Sequence, residues 1–107
     1  MPKYLLEGSY SAEGDRGLIK GGGGTARHKA VSAAIASGGG KLESFYWTLA
    51  SNFVLILDAP NNVAVAALLM QVESTGAVNR LEATPLLAAE DIDAAVKLHP
   101  SYTPPGK

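Results

Sequence analysis

Alternating apolar and polar side chains open the chain and predict a β-strand over residues 3–10. Tyr4 and Leu6 point to one side of that strand, whereas Leu5 and Glu7 point to the other. Both faces of the strand therefore carry apolar groups.

The next segment has a weak helical pattern. Ser11 can cap a helix start, but Gly14 and Gly17 lower the helix propensity. We therefore expect only a short helix of one or two turns here, anchored by Leu18 and Ile19.

A stronger helical pattern follows the glycines of residues 21–24. Thr25 can cap a helix over residues 25–37, and the glycines of residues 38–40 end it. The predicted inner stripe consists of Ala26, Ala30, Val31, Ala34 and Ile35.

Two strands are predicted next. Residues 41–49 are rich in aromatic side chains, and strict alternation places Phe45, Trp47 and Leu49 on one face, opposite Leu42, Ser44, Tyr46 and Thr48. After a short turn at residues 50–52, residues 53–57 are continuously apolar. Such a run is typical of a strand covered on both faces, and we interpret it as the central strand.

The remaining pattern predicts helix, strand and helix. Asn61 or Asn62 can cap a helix that ends at residues 74–76. Its broad apolar side is predicted to consist of Val63, Ala66, Ala67, Met70 and Val72.

Residues 77–84 form the fourth predicted strand. A last helix follows residues 85–87, with acidic side chains near its start and basic ones near its end, as the helix dipole favours: Glu90, Asp91, Asp93, Lys97 and His99.

This element order predicts an α+β protein of ferredoxin-like type, with a four-stranded antiparallel sheet and helices on one face. We expect residues 1–99 to form a single domain. Residues 100–107 contain three prolines and little apolar surface, so they predict a loose C-terminal tail.

Composition narrows the function classes. Nine Lys and Arg residues against ten Asp and Glu residues give a net charge of −1, which does not favour binding to nucleic acid or to an anionic membrane. The chain has no cysteine, which excludes thiolate catalysis and thiolate metal sites. Its N-terminal residues have neither the apolar core of a signal peptide nor a spanning segment, so we expect a cytoplasmic protein.

The first candidate site is the glycine loop and the basic helix start after it. Amides at a helix start attract anions, so the sequence predicts a phosphate or carboxylate site. Its residues would be Gly23, Gly24, Thr25, Arg27 and His28. The spacing is neither that of a P-loop nor that of a dinucleotide fingerprint. The alternative is a flexible connection to a capped helix with a solvated basic side.

The second candidate site is the sheet face without helices, where aromatic and charged side chains alternate on strands. The candidate ligand-binding residues are Glu7, Tyr46, Trp47, Arg80 and Glu82, with Phe45 beside them. Which of them share that face depends on the register, although Arg80 and Glu82 must lie on one side. The alternative is that the aromatic residues are core or interface and that Arg80 and Glu82 form an ordinary ion pair.

Other chemistry receives little support. His28 and His99 are the only histidines, no serine lies in a nucleophile elbow, and the basic motif of RNA-recognition sheets is missing. We therefore expect no metal, no cofactor and no nucleic-acid partner.

Several short segments, in their order and spacing, resemble the GYD domain family of small bacterial proteins. They are Pro2-Lys3-Tyr4-Leu5, Ser11-Ala12-Glu13-Gly14, residues 39–46, Asp58-Ala59-Pro60 and Thr84-Pro85-Leu86-Leu87. The resemblance extends to about Leu98. The Gly, Tyr and Asp cluster that names the family falls at residues 49–52, which read Leu, Ala, Ser and Asn and lack all three.

The resemblance implies a fold similar to dimeric α+β barrel proteins, whose sheets pack face to face. It implies no established activity. The leading hypothesis is thus a non-catalytic homodimer that binds a small anionic or aromatic molecule or serves as an assembly module. The alternative is a cofactor-independent enzyme for a small organic substrate, with Tyr46, Trp47, Arg80 and Glu82 as the residues to suspect.

Overall fold

The computed structural model describes residues 1–50 and 52–107, which form four strands and four helices. In chain order they are β1 (Lys3–Tyr10), α1 (Ala12–Lys20), α2 (Gly24–Ser37), β2 (Lys41–Trp47), β3 (Asn52–Asp58), α3 (Asn62–Ser74), β4 (Val78–Leu86) and α4 (Ala89–Ala95). None of these helices is long and apolar enough to cross a membrane.

The strands form one antiparallel sheet in the order β2-β3-β1-β4. This is the ferredoxin-like α+β arrangement that the element order predicts, with β3 in the interior of the sheet as expected. The expected cover on both faces of β3 is found on one side only: Phe53 and Leu55 are buried under the helices, whereas Val54 and Ile56 lie half-buried on the other side.

One face of the sheet carries the core. Tyr4 and Leu6 of β1 and Leu55 of β3 are buried there against Ile35 of α2 and Val65 of α3. Burial alternates along β1 as far as Gly8 and along the whole of β3, so the residues between the buried ones lie on the opposite face. We call that opposite side of the sheet the open face.

Helix α1 is longer than the predicted turn or two, at nine residues. The Ser11 hydroxyl accepts a hydrogen bond from the amide of Gly14 at 3.1 Å and donates one to the carbonyl of Gly76 at 2.7 Å. Glu13 and Asp15 lie in the first turn, where the helix dipole favours acids. These contributions offset the low propensity of the two glycines.

The predicted cap of α2 is wrong. The helix begins at Gly24 and is capped by Gly23, which has φ 88° and no side chain to donate or accept; Thr25 is already inside the helix. A positive φ costs glycine little. Gly23 can therefore adopt the backbone conformation that separates the preceding turn from the first residue of α2.

The predicted apolar side of α3 is also wrong. Val63 and Met70 are exposed, whereas Val65 is buried and Leu68 and Leu69 pack against the core. Residues 63–70 are apolar on every side of the helix, so their periodicity does not determine which side faces the sheet.

Strand β2 departs from strict alternation. The register shifts between Leu42 and Ser44, which brings Leu42 opposite Leu57 and onto the same face as Phe45. The strand also ends at Trp47, so Leu49 is fully exposed outside it. The predicted turn at residues 50–52 includes Ser51, which lies outside the described residues.

The C-terminal part differs in its bounds. Strand β4 continues through Pro85 to Leu86, which an edge strand tolerates because one side of its backbone has no partner. Helix α4 ends at Ala95, so Lys97 and His99 lie beyond it, and it contributes no buried side chain. The amide of Ala88 donates to the carboxylate of Asp91 at 2.9 Å, as expected for an acid at a helix start.

Candidate functional site

The register brings four of the five predicted sheet-face residues together on the open face. Tyr46 lies opposite Val54, Val54 lies opposite Glu7, and Glu7 lies opposite Glu82, so these side chains form one row across all four strands. Arg80 is two residues before Glu82 on the same side, and its guanidinium Nη1 lies 3.3 Å from Glu82 Oε1. The ion pair that the alternative interpretation expects is therefore present, and it lies within one strand, β4.

Trp47 does not belong to this group. It pairs with Phe53 on the helix-covered face, and its ring stacks on that of Phe45 with 4.2 Å between the centroids. A Cβ atom on Gly24 would lie 3.5 Å from the indole, so Trp47 also lies against the start of α2. The expectation that Phe45 and Trp47 belong to the helix-free face is wrong, because alternation from the buried Phe45 turns both rings toward the helices.

This division weakens the enzyme hypothesis. Tyr46, Arg80 and Glu82 lie on one side of the sheet and Trp47 on the other, so the four suspected residues cannot line one site within a protomer. Tyr46 and Glu7 are also two strands apart, about 10 Å at the usual spacing of strands.

The predicted anion-binding residues are also divided. Gly24, Thr25 and His28 line a shallow depression together with Lys29 and Trp47. Arg27, which comes between them in sequence, lines a different space on another side of α2. The anion site at Gly23, Gly24, Thr25 and His28 stays a prediction, and Arg27 is not part of that depression.

The space that Arg27 lines was missed by sequence analysis. It is a cavity of about 170 Å³ between the sheet and helices α2 and α3. Its wall is apolar apart from Arg27, Thr75 and the hydroxyl of Tyr10. The other lining residues are Leu6, Val31, Ala34, Ile35, Phe45, Phe53, Leu55, Leu68, Val72, Ala77, Val78 and Leu81.

The small side chains of α2 were the one signal that pointed to this cavity. Of the predicted inner stripe of α2, Ile35 is buried and Val31 packs against the core, whereas the three alanines are exposed. Val31 and Ala34 line the cavity together with Phe45 and Phe53. A sequence shows which side chains are small, but it does not show whether neighbouring helices move inward to fill the space.

Lys3 forms two further ion pairs, with Glu43 and Asp58. Lys3 Nζ lies 2.5 Å from Glu43 Oε2 and 2.9 Å from Asp58 Oδ1, and hydrogen bonding first to Glu43 and then to Asp58 raises the pKa of Lys3. Within residues 1–50 and 52–107, no cluster of three or more His, Asp or Glu side chains is arranged to hold a metal ion.

Comparison with known proteins gives structural neighbours and a family match. The fold is similar to that of an uncharacterised NIPSNAP domain protein from Burkholderia xenovorans, with a TM-score of 0.48, 11% sequence identity, and coverage of 83% of this chain and 95% of that chain. No curated protein matches the sequence. The model of the GYD domain family matches residues 4–96, which is most of the 107 residues. The chain therefore belongs to the GYD domain family, as its sequence segments indicate.

Proposed function

We propose that this protein is a non-catalytic homodimeric domain that binds a small molecule, with the two copies joined through their open faces. The observation that carries the proposal is the composition of the open face. Its centre is formed by Leu5, Val54 and Ile56 on the two interior strands, and neither α2 nor α3 packs on that side.

An apolar sheet face of this kind is unusual in a soluble monomer. The half-buried side chains of Leu5, Val54 and Ile56 are contiguous, and Tyr46 extends the surface at one edge with 69% of its area exposed. Monomers rarely expose contiguous apolar patches above a few hundred Å². A partner that covers this face would remove the apolar area from water.

The charges on the open face favour a second copy as that partner. Registers place basic Lys3, Lys41 and Arg80 on this face together with acidic Glu7, Asp58 and Glu82. Glu43 also reaches this face through its ion pair with Lys3, so three basic and four acidic groups nearly cancel, and little net charge is left to repel a second copy. A two-fold axis lets one patch cover itself without leading to filaments.

The assembly is tested by sedimentation equilibrium at micromolar concentration. We expect the wild-type chain to sediment as a dimer of the 11.0 kDa protomer. Ile56→Glu places a charge at the centre of the face and should shift the protein to monomer. Met70→Glu is the matched control, because Met70 is exposed on α3, and it should leave the dimer intact. Trp47→Glu would not test this interface, because Trp47 lies on the helix-covered face of the sheet.

A wild-type monomer would contradict the assembly, and so would an Ile56→Glu variant that folds and still dimerises. Ligand binding is tested separately, by purifying the protein from its native cells and identifying any retained small molecule by native mass spectrometry. Repeated isolation with no bound molecule would leave assembly alone as the role.

A further inference from the structure

We infer that the cavity under helices α2 and α3 binds the apolar part of a small monocarboxylic acid, and that the carboxylate pairs with Arg27. This inference rests on the small-molecule binding proposed above and names the place and the ligand class. It does not depend on the dimer, because every residue used belongs to one protomer.

The volume of the cavity sets the size of the apolar part. At about 170 Å³ the cavity is close to apolar cavities of about 150 Å³ that stay dry and bind benzene. A single six-membered aromatic ring or a short alkyl chain fits such a space. An unfilled apolar cavity destabilises a fold roughly in proportion to its volume, so a ligand that fills it should stabilise the protein.

The walls favour an aromatic ring over a purely aliphatic group. Phe45 and Phe53 line the cavity with 6.4 Å between their centroids and an angle of 58° between their planes. Tyr10 lines it as well, at 4.8 Å from Phe53. These rings already pack on one another, so a further ring in the cavity would meet their remaining faces and edges, where edge-to-face contacts are favourable.

Arg27 stands where the cavity meets a second, outer cleft of about 350 Å³. The cavity and the cleft share Tyr10, Arg27, Thr75 and Ala77 as lining residues, so the two spaces adjoin. Arg27 is exposed and is absent from the ion pairs found in the described part of the chain. A guanidinium at the mouth of an apolar cavity is suited to bidentate pairing with a carboxylate.

The acidic residue in the outer cleft limits the charge of the ligand. Glu13 lines the cleft with Gly14 and Gly17 of α1 and forms no ion pair with Arg27 at 4.0 Å or less. A ligand with one carboxylate can pair with Arg27, whereas a second carboxylate in the cleft would meet the charge of Glu13. Monoanions should therefore bind better than dianions of the same ring.

The test is isothermal titration calorimetry of the full chain with benzoate, benzamide, phthalate and acetate. We expect saturable binding of benzoate. Benzamide, which keeps the ring and loses the charge, and phthalate, which adds a carboxylate, should each bind about tenfold more weakly or worse. Acetate, which keeps the charge and loses the ring, should show no detectable binding.

Variants separate the two parts of the site. Arg27→Gln should weaken benzoate binding about tenfold or more, while benzamide binding stays unchanged. Arg16→Gln is the matched control, since Arg16 is an exposed arginine on α1 that lines neither space, and it should bind as the wild type does. Val31→Phe fills the cavity and should abolish binding of both aromatic probes. If Val31→Phe fails to fold, the methyl chemical shifts of the wild-type protein locate the bound benzoate instead. Only methyl groups of cavity residues, such as Leu68 and Val72, should shift when benzoate is added.

Each contrary result has its own meaning. If benzoate shifts the methyl groups of Leu5, Val54 and Ile56 on the open face instead, small-molecule binding stands and this site is wrong. If no probe binds while the natively purified protein carries a molecule of another class, the ligand class is wrong and the proposed function stands. If no probe binds and no molecule is retained, this site and the proposed small-molecule binding both fail, and the proposed assembly is left as the role.

Discussion

Glu7 and Glu82 lie directly opposite each other on β1 and β4. Glu82 has a partner, because Arg80 Nη1 approaches it within 3.3 Å. Glu7 is half-buried and belongs to no ion pair found in residues 1–50 and 52–107. Like charges directly opposite on paired strands are destabilising, so the open face carries an unfavourable contact in a single protomer.

Removing the charge of Glu7 should therefore stabilise the fold. We expect Glu7→Gln to raise the free energy of unfolding by about 0.2–1 kcal/mol, the range for a cross-strand pair. Urea denaturation at fixed protein concentration measures the change, and low salt gives the larger effect. Glu73→Gln on exposed α3 is the control and should change stability little. Lower stability of Glu7→Gln would mean that Glu7 has a favourable partner, such as Arg80 of a second copy.

Two glycines of α1 should respond to alanine in opposite directions. A Cβ atom on Gly14 would lie 2.0 Å from the carbonyl oxygen of Ala77, whereas one on Gly17 meets no atom within 4 Å. Gly14→Ala must push α1 away from the loop before β4 and should cost about 1–3 kcal/mol. Gly17→Ala should gain up to about 1 kcal/mol from helix propensity. Thermal and urea unfolding of both variants test this, and a shared sign would contradict it.

The element order was predictable because strands and helices differ in apolar pattern and length: β1 alternates over part of its length and β3 is a short, continuously apolar run, and burial in both strands follows a period of two. Faces were predictable only where that period is unbroken. The shift after Leu42 changes the face of part of β2, and a helix apolar on all sides, such as α3, has no preferred side in the sequence. The row of Tyr46, Glu7 and Glu82 needed the register, which depends on pairing between distant segments.

The candidate site was less predictable than the fold for a different reason. Arg27 was recognised as a basic residue at a helix start, but the role proposed for it depends on the cavity, which is a volume that side chains do not fill. That volume depends on how far α2 and α3 stand from Phe45 and Phe53, which sequence spacing does not encode.

The ion pairs of Lys3 predict a change in stability at alkaline pH. Hydrogen bonds from Lys3 to Glu43 and then to Asp58 raise its pKa in the folded protein above the ordinary value of 10.5. A raised pKa means that the folded state holds this proton more tightly, so the stabilisation is complete below pH 10.5 and is lost as the pH rises through the folded value. Lys3 and Glu43 are 41% and 52% exposed, so the effect should be small.

The measurement compares wild type with Lys3→Met from pH 9 to pH 12, because tyrosines and other lysines also titrate in this range. The stability difference between the two proteins should shrink above pH 10.5. Lys20→Met, at the end of α1, is the control for the loss of one lysine outside the ion pairs found in the described residues. A difference that stays constant to pH 12 would rule out the raised pKa.

The adjacent asparagines at the start of α3 have separate roles, and substitutions should distinguish them. Asn61 Oδ1 accepts a hydrogen bond from the amide of Ala64 at 2.9 Å and so caps the helix, whereas Asn62 Oδ1 accepts from the hydroxyl of the buried Tyr4 at 2.6 Å. Asn61→Ala should cost about 0.5–2 kcal/mol, and Asn61→Asp should recover most of that loss because a carboxylate also caps. Asn62→Ala leaves the Tyr4 hydroxyl without its acceptor, so the cost of Asn62→Ala should largely disappear in a Tyr4→Phe background.

Urea denaturation of the single and double variants measures both couplings. Rescue of Asn61→Ala by Tyr4→Phe, or additive losses for Asn62→Ala and Tyr4→Phe, would show that these hydrogen bonds do not stabilise the fold in this way.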